Sequence, residues 1–407
     1  MPASLYNNYI VKDERTFVYN TRYMNSISFN TKNIDEVISF LENSADKNLY
    51  RLGFCTNEYE VQDMYDSYMK MRYSDSQMNV MLIMTYKCNC ACSYCFENID
   101  KNLILANEVD ISPTLNFIKN LVVRNNVKNL NIDFFGGEPL LHIDKITDTC
   151  KFFNNLDIRE LNIKYLVITN GTLLTRSNVQ KLSLNGIRNY QITIDGLKEI
   201  HDARRPLKNN VSSFETIIDN LRSIDDLGVG ITIRINIDQQ NIEDLPLVVN
   251  ELREFSNVNF YLAPIVGCLD VSAKITLEKR VIVLKRAWKL IKEHSLPISI
   301  IPPVYAPCPY HSIESAFYID MSGNIYTCGG FVGNTEKIEK VFDQKKAHYY
   351  KRLKNIPSDK CFKCSFFPIC MGSCKFESEQ LNASCQKFYL KEIYDEYFSN
   401  YAKQSQL

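Results

Sequence analysis

The sequence carries no excess of charge of either sign: 47 Lys and Arg balance 47 Asp and Glu. Bulk electrostatics therefore recruits neither a nucleic acid nor an anionic membrane as partner. No apolar run approaches the length that crosses a bilayer. The opening MPASLYNNYIVKDERTF lacks the charged and apolar regions of a secretory signal. Internal repeats and low-complexity tracts are missing as well. These absences predict a cytoplasmic protein with no nucleic-acid and no membrane partner. What remains is an ordinary globular composition, 45% hydrophobic and 23% charged over 407 residues, enough for two or three domains.

Cysteine is what the chain has in plenty, fourteen in all. A reducing compartment keeps thiols free, so this density argues for metal ligation or catalysis rather than disulfide staples. Eleven of the fourteen fall into two groups, Cys88 to Cys95 and Cys308 to Cys385. Four thiols within eight residues can form a disulfide knot, hold zinc or ligate an iron–sulfur cluster. Cys55, Cys150 and Cys268 stand outside the groups and read as small hydrophobes.

Three zones follow one another. Residues 1–78 are rich in Tyr and Asn. NNYIVKD and TFVYNTR read as short strands around a polar turn, and NIDEVISFLENS as a helix opened by an Asn cap. A second helix and a hairpin near LGFCTNEYE complete an α/β module, winged-helix-like in outline. Residues 79–297 alternate. NVMLIMTY, NLNIDFF, KYLVITN, NYQITID, GVGITIRINID and VNFYLAP are strand-like, with helical segments such as SPTLNFIKNLVVRN and SSFETIIDNLRSI among them. That order predicts a parallel sheet, a partial (β/α)6 barrel with its active site at the C-terminal strand ends. After the helix LEKRVIVLKRAWKLIKEH, the Pro-rich SLPISIIPPVYAPCPY marks a junction. Residues 298–407 hold the second cysteine group and end in QKFYLKEIYDEYFSNYAK, whose Ile393, Tyr397 and Tyr401 predict a docking face.

Cys88, Cys92 and Cys95 follow the spacing C-x3-C-x2-C directly after the first barrel strand. A structural zinc or a complete cubane site takes four protein ligands; this spacing supplies three and leaves one metal position open. Cys90 is the possible fourth, but extended chain is expected to point it away from its neighbours. With Tyr94 before the last thiol and Phe96 after it, the motif resembles that of the radical S-adenosylmethionine (radical SAM) enzymes. The resemblance implies a [4Fe–4S] cluster on Cys88, Cys92 and Cys95 whose unique iron is chelated by S-adenosylmethionine. A 5′-deoxyadenosyl radical then abstracts hydrogen from substrate, with electrons from a donor such as flavodoxin or ferredoxin.

Further motifs agree. In DFFGGEPLL, Gly136 and Gly137 remove side chains where a backbone must approach a ligand, and Glu138-Pro139 sets the following turn. The same residues could make an ordinary strand-to-helix turn; the resemblance makes them the GGE motif that meets the cofactor's amino group. ITNGTLLT resembles the family's next strand-end motif and places Thr169 and Asn170 near the cofactor. In TIDGLKEIHDARRP, the resemblance puts Asp195 at the ribose and Arg205 at the carboxylate, a match for guanidinium geometry. Arg234 and Asn236 of RINID belong to a similar set or make an edge contact and a turn.

The second group reads Cys308, Cys328, Cys361, Cys364, Cys370, Cys374 and Cys385, with Gly323 in the hairpin signal DMSGNIYTC. Seven thiols make one four-thiolate site and a second short by one ligand, whereas two zinc ribbons take eight. The pattern resembles the SPASM domain. That resemblance implies two auxiliary [4Fe–4S] clusters, three clusters in all: an outer one on Cys361, Cys364, Cys370 and Cys385, and an inner one on Cys308, Cys328 and Cys374. The inner cluster's remaining position falls to solvent, His311, Glu314, Cys268 or a substrate thiol.

Among SPASM enzymes, the anaerobic sulfatase maturases oxidise Ser or Cys to formylglycine and carry an Asp after the cysteine equivalent to Cys328. Here that residue is Gly329, and nearly eighty residues precede the strand that leads into the three-cysteine motif. Peptide maturases instead join side chains of a ribosomally made precursor through thioether or C–C (cyclophane) bonds. They often bear an N-terminal winged-helix element that pairs a leader peptide to a sheet edge. A peptide maturase is therefore the expectation. Sulfatase maturation is the alternative, and a non-catalytic multi-cluster electron carrier is the alternative of another class.

Overall fold

The computed structural model describes residues 2–74, 76–95, 109–265, 276–303, 316–326, 328–334, 338–340, 356–374, 376–377 and 385–402. The chain divides into two compact units: Met1–Tyr73, Ser299–His311 and Leu353–Leu407 form one, and Ser74–Ile298 with Ser312–Arg352 the other.

The first unit opens with an antiparallel sheet of β1 (Asn7–Lys12), β2 (Arg15–Asn20) and β3 (Asn25–Phe29), in that order. The tight turn between β1 and β2 puts Asp13 and Glu14 at positive φ, a region that short polar side chains tolerate best. Helix Ile34–Asn43 follows, capped by the Asn33 side chain, which accepts from the backbone N–H of Asp35 and Glu36. Val18, Ile27, Val37, Leu41, Leu49, Phe54 and Cys55 close a core between sheet and helices; Cys55 is the plain hydrophobe expected. The hairpin anticipated near LGFCTNEYE does not form. Gly53 takes φ +86° and turns the chain off the end of helix Lys47–Arg51, so Cys55 makes a single bridge to Ala3.

The C-terminal cysteine segments belong to this same unit. Tyr6, Met64 and Tyr68 bury themselves against Phe362, Phe367 and Met371, with Cys361 and Cys364 at the margin. Tyr6 Oη donates to the Phe362 carbonyl at 2.8 Å. Helix Lys387–Asn400 inserts Leu390, Ile393, Tyr394 and Phe398, a face offset from the Ile393, Tyr397, Tyr401 stripe read from the sequence. The offset arises because Phe398 stacks on Tyr19 of β2 at 4.5 Å, and Tyr19 Oη donates to Asp395 at 2.7 Å.

The second unit is built on one sheet. Its parallel core is β4 (Gln77–Thr85), β5 (Asn129–Gly136), β6 (Asn162–Thr169), β7 (Asn189–Thr193), β8 (Gly230–Ile237) and β9 (Val258–Pro264), neighbours in chain order. All six were legible as strands. In β5, Leu130, Ile132, Phe134 and Gly136 are buried and alternate with half-buried Asn131, Asp133 and Phe135, the period of a sheet with one face against helices. Helices Ser112–Arg124, Ile143–Asn154, Arg176–Ser183, Ser213–Ile224 and Leu245–Leu252 connect the strands. Cys150 is buried in the second of these and its thiol is pushed up to about 12 by burial, in keeping with a packing role. On the other side of β4 the sheet continues through β10 (Ala316–Asp320), parallel to β4, and the antiparallel β11 (Asn324–Tyr326) and β12 (Ile338–Lys340). The segment leading to Cys328 is thus hydrogen-bonded into the barrel sheet. No helix among the described residues is long and apolar enough to cross a membrane.

Replacing Phe398 by Ala removes a fully buried aromatic stacked on Tyr19. The first unit should lose about 3 kcal/mol of stability, read as a shift of its urea unfolding midpoint; a loss below about 1 kcal/mol would contradict the packing described.

Candidate active site

The site is assembled where β4, β5 and β6 end. β4 and β5 run in register until a bulge between Ile83 and Thr85 brings Thr85 opposite Gly136, a device that re-aims a strand next to functional residues. The chain leaving β4 then runs hard against the chain leaving β5. Gly137 N–H donates to the Thr85 carbonyl and Glu138 N–H to the Lys87 carbonyl, each at 2.9 Å. Side chains have no room here. A Cβ on Gly136, whose φ is +131°, would lie 2.3 Å from the Thr85 carbonyl oxygen, and one on Gly137 2.3 Å from that of Lys87. The approach these glycines permit is to the backbone entering the cysteine loop.

Glu138 is fully buried at this junction. Thr169 Oγ1 donates to its carboxylate at 2.7 Å, the Asn170 N–H at 2.8 Å and the Leu140 N–H at 3.1 Å. Burial nevertheless pushes the carboxyl up to about 7, with those three bonds pulling the other way. Asn170 carries the connection onward. Its Nδ2 donates to Asn89 Oδ1 at 2.8 Å and lies 3.8 Å from Cys88 Sγ. Its Oδ1 accepts from the backbone and hydroxyl of Thr172. Asn89, unremarked in the sequence, is the loop's anchor to β6.

The loop is held on its other side by residues 204–208. Ala91 and Ser93 N–H donate to the carbonyls of Pro206 and Arg204, and Lys208 N–H to that of Asn89, all at 2.9 Å. Cys90 bridges Leu207 in this ladder. Here an expectation is overturned. Cys90 does not point away from its neighbours: its N–H donates to Cys88 Sγ at 3.4 Å, and its thiol lies near enough to those of Cys88 and Cys92 to hold both below the ordinary thiol range while its own is pushed up. The reason is the period of extended chain: residues 88, 90 and 92 fall on one side of it. Cys95 sits exposed beyond the turn in which its N–H donates to the Cys92 carbonyl at 3.3 Å. Among the described residues no three His, Cys, Asp or Glu side chains are already gathered as a metal cage.

The other predicted cofactor contacts meet at Tyr94. Its hydroxyl donates to Asp195 and accepts from Arg205 Nη1 at 2.6 Å and Asn236 Nδ2 at 3.0 Å. Arg204, not singled out from sequence, lies 5.3 Å over the Tyr94 ring and grips Asp238 with both Nη atoms. Asn236 also accepts from Arg234 Nε at 2.9 Å, which places it in the network rather than in a turn. His201 supports Asp195: its Nδ1 accepts from the Asp195 N–H at 3.3 Å, and burial pushes the imidazole down to about 3. Such helix-borne partners show only ordinary polar letters in a sequence.

An iron–sulfur cluster fits this donor set. Soft thiols of Cys88, Cys92 and Cys95 lie in one loop, and none of the described cysteines is in a disulfide. Arg205 is half-buried, and its Nε, itself buried, has no hydrogen-bond partner among the described residues; a buried donor left over at this point suits an anionic ligand group. Of the second cysteine group, Cys308 lies outside the described residues, as do Phe96, Cys268, His311 and Glu314. Cys328 is in the second unit, and Cys361, Cys364, Cys370, Cys374 and Cys385 are in the first. The Cys370 thiol is pushed up to about 11 by burial, with Cys385 and Cys364 near enough to add to the shift. A run of positive φ at Met371, Gly372 and Ser373 then turns the chain toward Cys374.

A parallel β/α sheet with a thiol loop at its strand ends defines the class. Residues 82–252 match the family model of the radical SAM superfamily; the chain carries a radical SAM domain and resembles the superfamily's maturases. It is 25% identical over 324 residues to the radical SAM cyclopropyl synthase TigE of Paramaledivibacter caminithermalis, covering 72% of this chain and 67% of that protein. To the cysteine-type anaerobic sulfatase-maturating enzyme of Clostridium novyi it is 24% identical, covering 72% and 86%. Among solved structures, anSMEcpe with bound AdoMet superposes with TM-score 0.61 at 19% identity, over 79% of this chain and 97% of that one. Streptococcus suis SuiB bound to S-adenosylmethionine gives 0.56 at 16%, over 93% and 97%. At these identities the two structures establish the fold.

Two outcomes test the site. Gly137→Ala must displace the Lys87 backbone and should abolish iron binding by the Cys88 loop, read by iron analysis; full loading would contradict the close approach. His201 is kept neutral, its value of about 3 lying below the unfolded 6.5. Its contribution is therefore complete above pH 6.5 and is lost as pH falls toward 3. The stability advantage of the wild type over His201→Leu should shrink by up to about 1.4 kcal/mol per pH unit in that window, measured by urea unfolding; a pH-independent difference would refute it.

Proposed function

We propose that this chain is a radical SAM peptide maturase that installs side-chain crosslinks in a ribosomally made precursor. The observation that carries the choice over sulfatase maturation is the packing of Gly329. A Cβ there would come within 2.8 Å of the far edge of the half-buried Tyr318 ring, so the Asp that the sulfatase-maturase resemblance would place after Cys328 would need that ring to shift. The likeness to SuiB adds support. Its 93% coverage leaves fewer residues unmatched than Met1–Tyr73 contains, so part at least of that segment is matched there, and a second SuiB structure holds the precursor peptide SuiA. Residues 1–78 would then receive a leader peptide along the edge of the β1–β3 sheet.

Cys88, Cys92 and Cys95 would hold the [4Fe–4S] cluster, which with S-adenosylmethionine supplies hydrogen-atom abstraction from an unactivated carbon. The chain's own residues provide placement. Gly136 and Gly137 let the cysteine loop seat against β5, and Glu138 with Asn170 fixes its distance from β6. Arg205, braced by Tyr94 and Asp195, would face the cofactor's carboxylate, and Thr169 and Pro139 shape the same end. Auxiliary clusters on Cys361, Cys364, Cys370 and Cys385, and on Cys308, Cys328 and Cys374, would take up the electron left after bond formation. A reduced flavodoxin or ferredoxin would supply the first one. The second reading, sulfatase maturation, draws on the 86% coverage of the Clostridium novyi enzyme.

Incubated anaerobically with S-adenosylmethionine and a strong reductant, the iron-loaded protein should release 5′-deoxyadenosine, and Cys92→Ala should release none. Precursor peptides encoded beside the gene and co-expressed with it should lose two hydrogens per crosslink by mass spectrometry. Conversion of a sulfatase peptide to its aldehyde, with no change in such precursors, would transfer the assignment to the second reading.

A further inference from the structure

The segments Tyr86-Lys87-Cys88 and Tyr326-Thr327-Cys328 share one pattern, a tyrosine two residues ahead of a thiol. In the fold the two tyrosines meet. Both are buried, Tyr86 at the end of β4 and Tyr326 at the end of β11, and their hydroxyl oxygens are 2.6 Å apart. Tyr86 donates its proton to Asp320 Oδ2 at 2.9 Å, so the Tyr326 hydroxyl is the donor between the phenols. Asp320 is buried as well and closes the β10–β11 turn. Its Oδ1 accepts from the Ser322 and Asn324 N–H, and its Oδ2 from Asn324 Nδ2, at 2.8 to 2.9 Å. Ile83 and Val332 pack around the phenols, with Phe135 and Tyr318 half-buried at the edge.

Packing alone would be served by phenylalanine at both positions. Two hydroxyls and a carboxylate in an apolar shell are tolerated only when each bond is made, and a satisfied buried network holds its members rigidly. Five strand pairs join β10 to β4, and β11 runs back antiparallel with Tyr326 opposite Tyr318; the phenols add a side-chain connection between the residue that follows β4 and the last residue of β11, two positions ahead of Cys328.

We infer that Tyr86, Tyr326 and Asp320 form a latch that fixes the loop bearing Cys328 to the loop bearing Cys88, so that iron–sulfur chemistry at one thiol responds to the position of the other. The inference rests on the proposal that Cys328 ligates an auxiliary cluster. Tyr86 and Tyr326 act as positioning residues; neither needs to touch substrate.

The test uses the full chain, loaded anaerobically with iron and sulfide. Cys328→Ala identifies the iron–sulfur signal that belongs to that thiol. Tyr86→Phe, a change outside the Cys328 loop, should shift the midpoint potential of that signal by a tenfold change in its reduction equilibrium, about 59 mV for one electron. Tyr326→Phe should do the same, and the double variant should shift no further than either single, the mark of one shared interaction. Amide exchange over Ala316–Tyr326 should quicken at least tenfold in each. An unchanged potential with unchanged exchange, or shifts that add, would overturn the latch. Should Cys328→Ala remove no iron–sulfur signal, the auxiliary-site reading fails on its own. The latch is then judged by exchange: acceleration in Tyr86→Phe upholds it and an unaltered rate overturns it. If Tyr86→Phe does not fold, Tyr326→Phe and Asp320→Asn supply the same comparison.

Discussion

Everything at the active end of this protein depends on how closely the chain leaving β5 approaches the chain leaving β4. Two consecutive residues there can carry no side chain, because Cβ atoms would fall 2.3 Å from the carbonyl oxygens of Thr85 and Lys87. The next residue, Glu138, is long and completely buried. The Glu138 carboxylate reaches β6 and accepts from Thr169 and Asn170, while its backbone N–H donates to the Lys87 carbonyl beyond β4, so one residue ties three strand ends. Desolvating the carboxylate is expensive, and the three donated bonds are what make it tolerable. A substitution at either glycine moves the start of the cysteine loop rather than a remote surface.

The loop is otherwise short of support of its own. It has neither helix nor apolar core in Lys87–Cys95, and it gains order from two borrowed edges: Asn89 on β6 through Asn170, and the segment Arg204–Lys208. That second edge also delivers Arg204 and Arg205 to either side of Tyr94. The guanidinium over the ring and the guanidinium on the hydroxyl come from consecutive residues at the C-terminal end of helix Lys198–Arg204. Placement of charge and placement of thiols are thus consequences of one ladder.

In the first unit the same economy recurs. The N-terminal sheet and helices do not close alone: Tyr6, Met64 and Tyr68 are covered by Phe362, Phe367 and Met371, and Tyr19 by Phe398. The segment carrying Cys361, Cys364 and Cys370 is short, with helices of four residues, and such pieces have little stability without a surface to rest on. The aromatic side of helix Glu60–Arg72 is that surface.

The six parallel strands, the helices between them and the three-thiol motif were all legible in the letters, because each rests on local periodicity or on spacing along the chain. Cys55 and Cys150 were read correctly as hydrophobes for the same reason. Contacts between segments distant in sequence were not legible. Nothing in SLPISII or FFPICMG announces that residues 299–311 and 353–407 share a compact unit with residues 1–73. Nor does DMSGNIYTC announce that its strands extend the barrel sheet. Cys90 was misjudged though its even spacing from Cys88 and Cys92 was in view; the sequence settled the residues' order, and the pairing with Leu207 settled that the loop is extended. Chemistry that depends on the kind of atom was written in the chain. Chemistry that depends on which atoms face one another, at Glu138, Tyr94 and the paired phenols, was decided by the tertiary fold, since a hydrogen bond is set by angstroms and not by sequence separation.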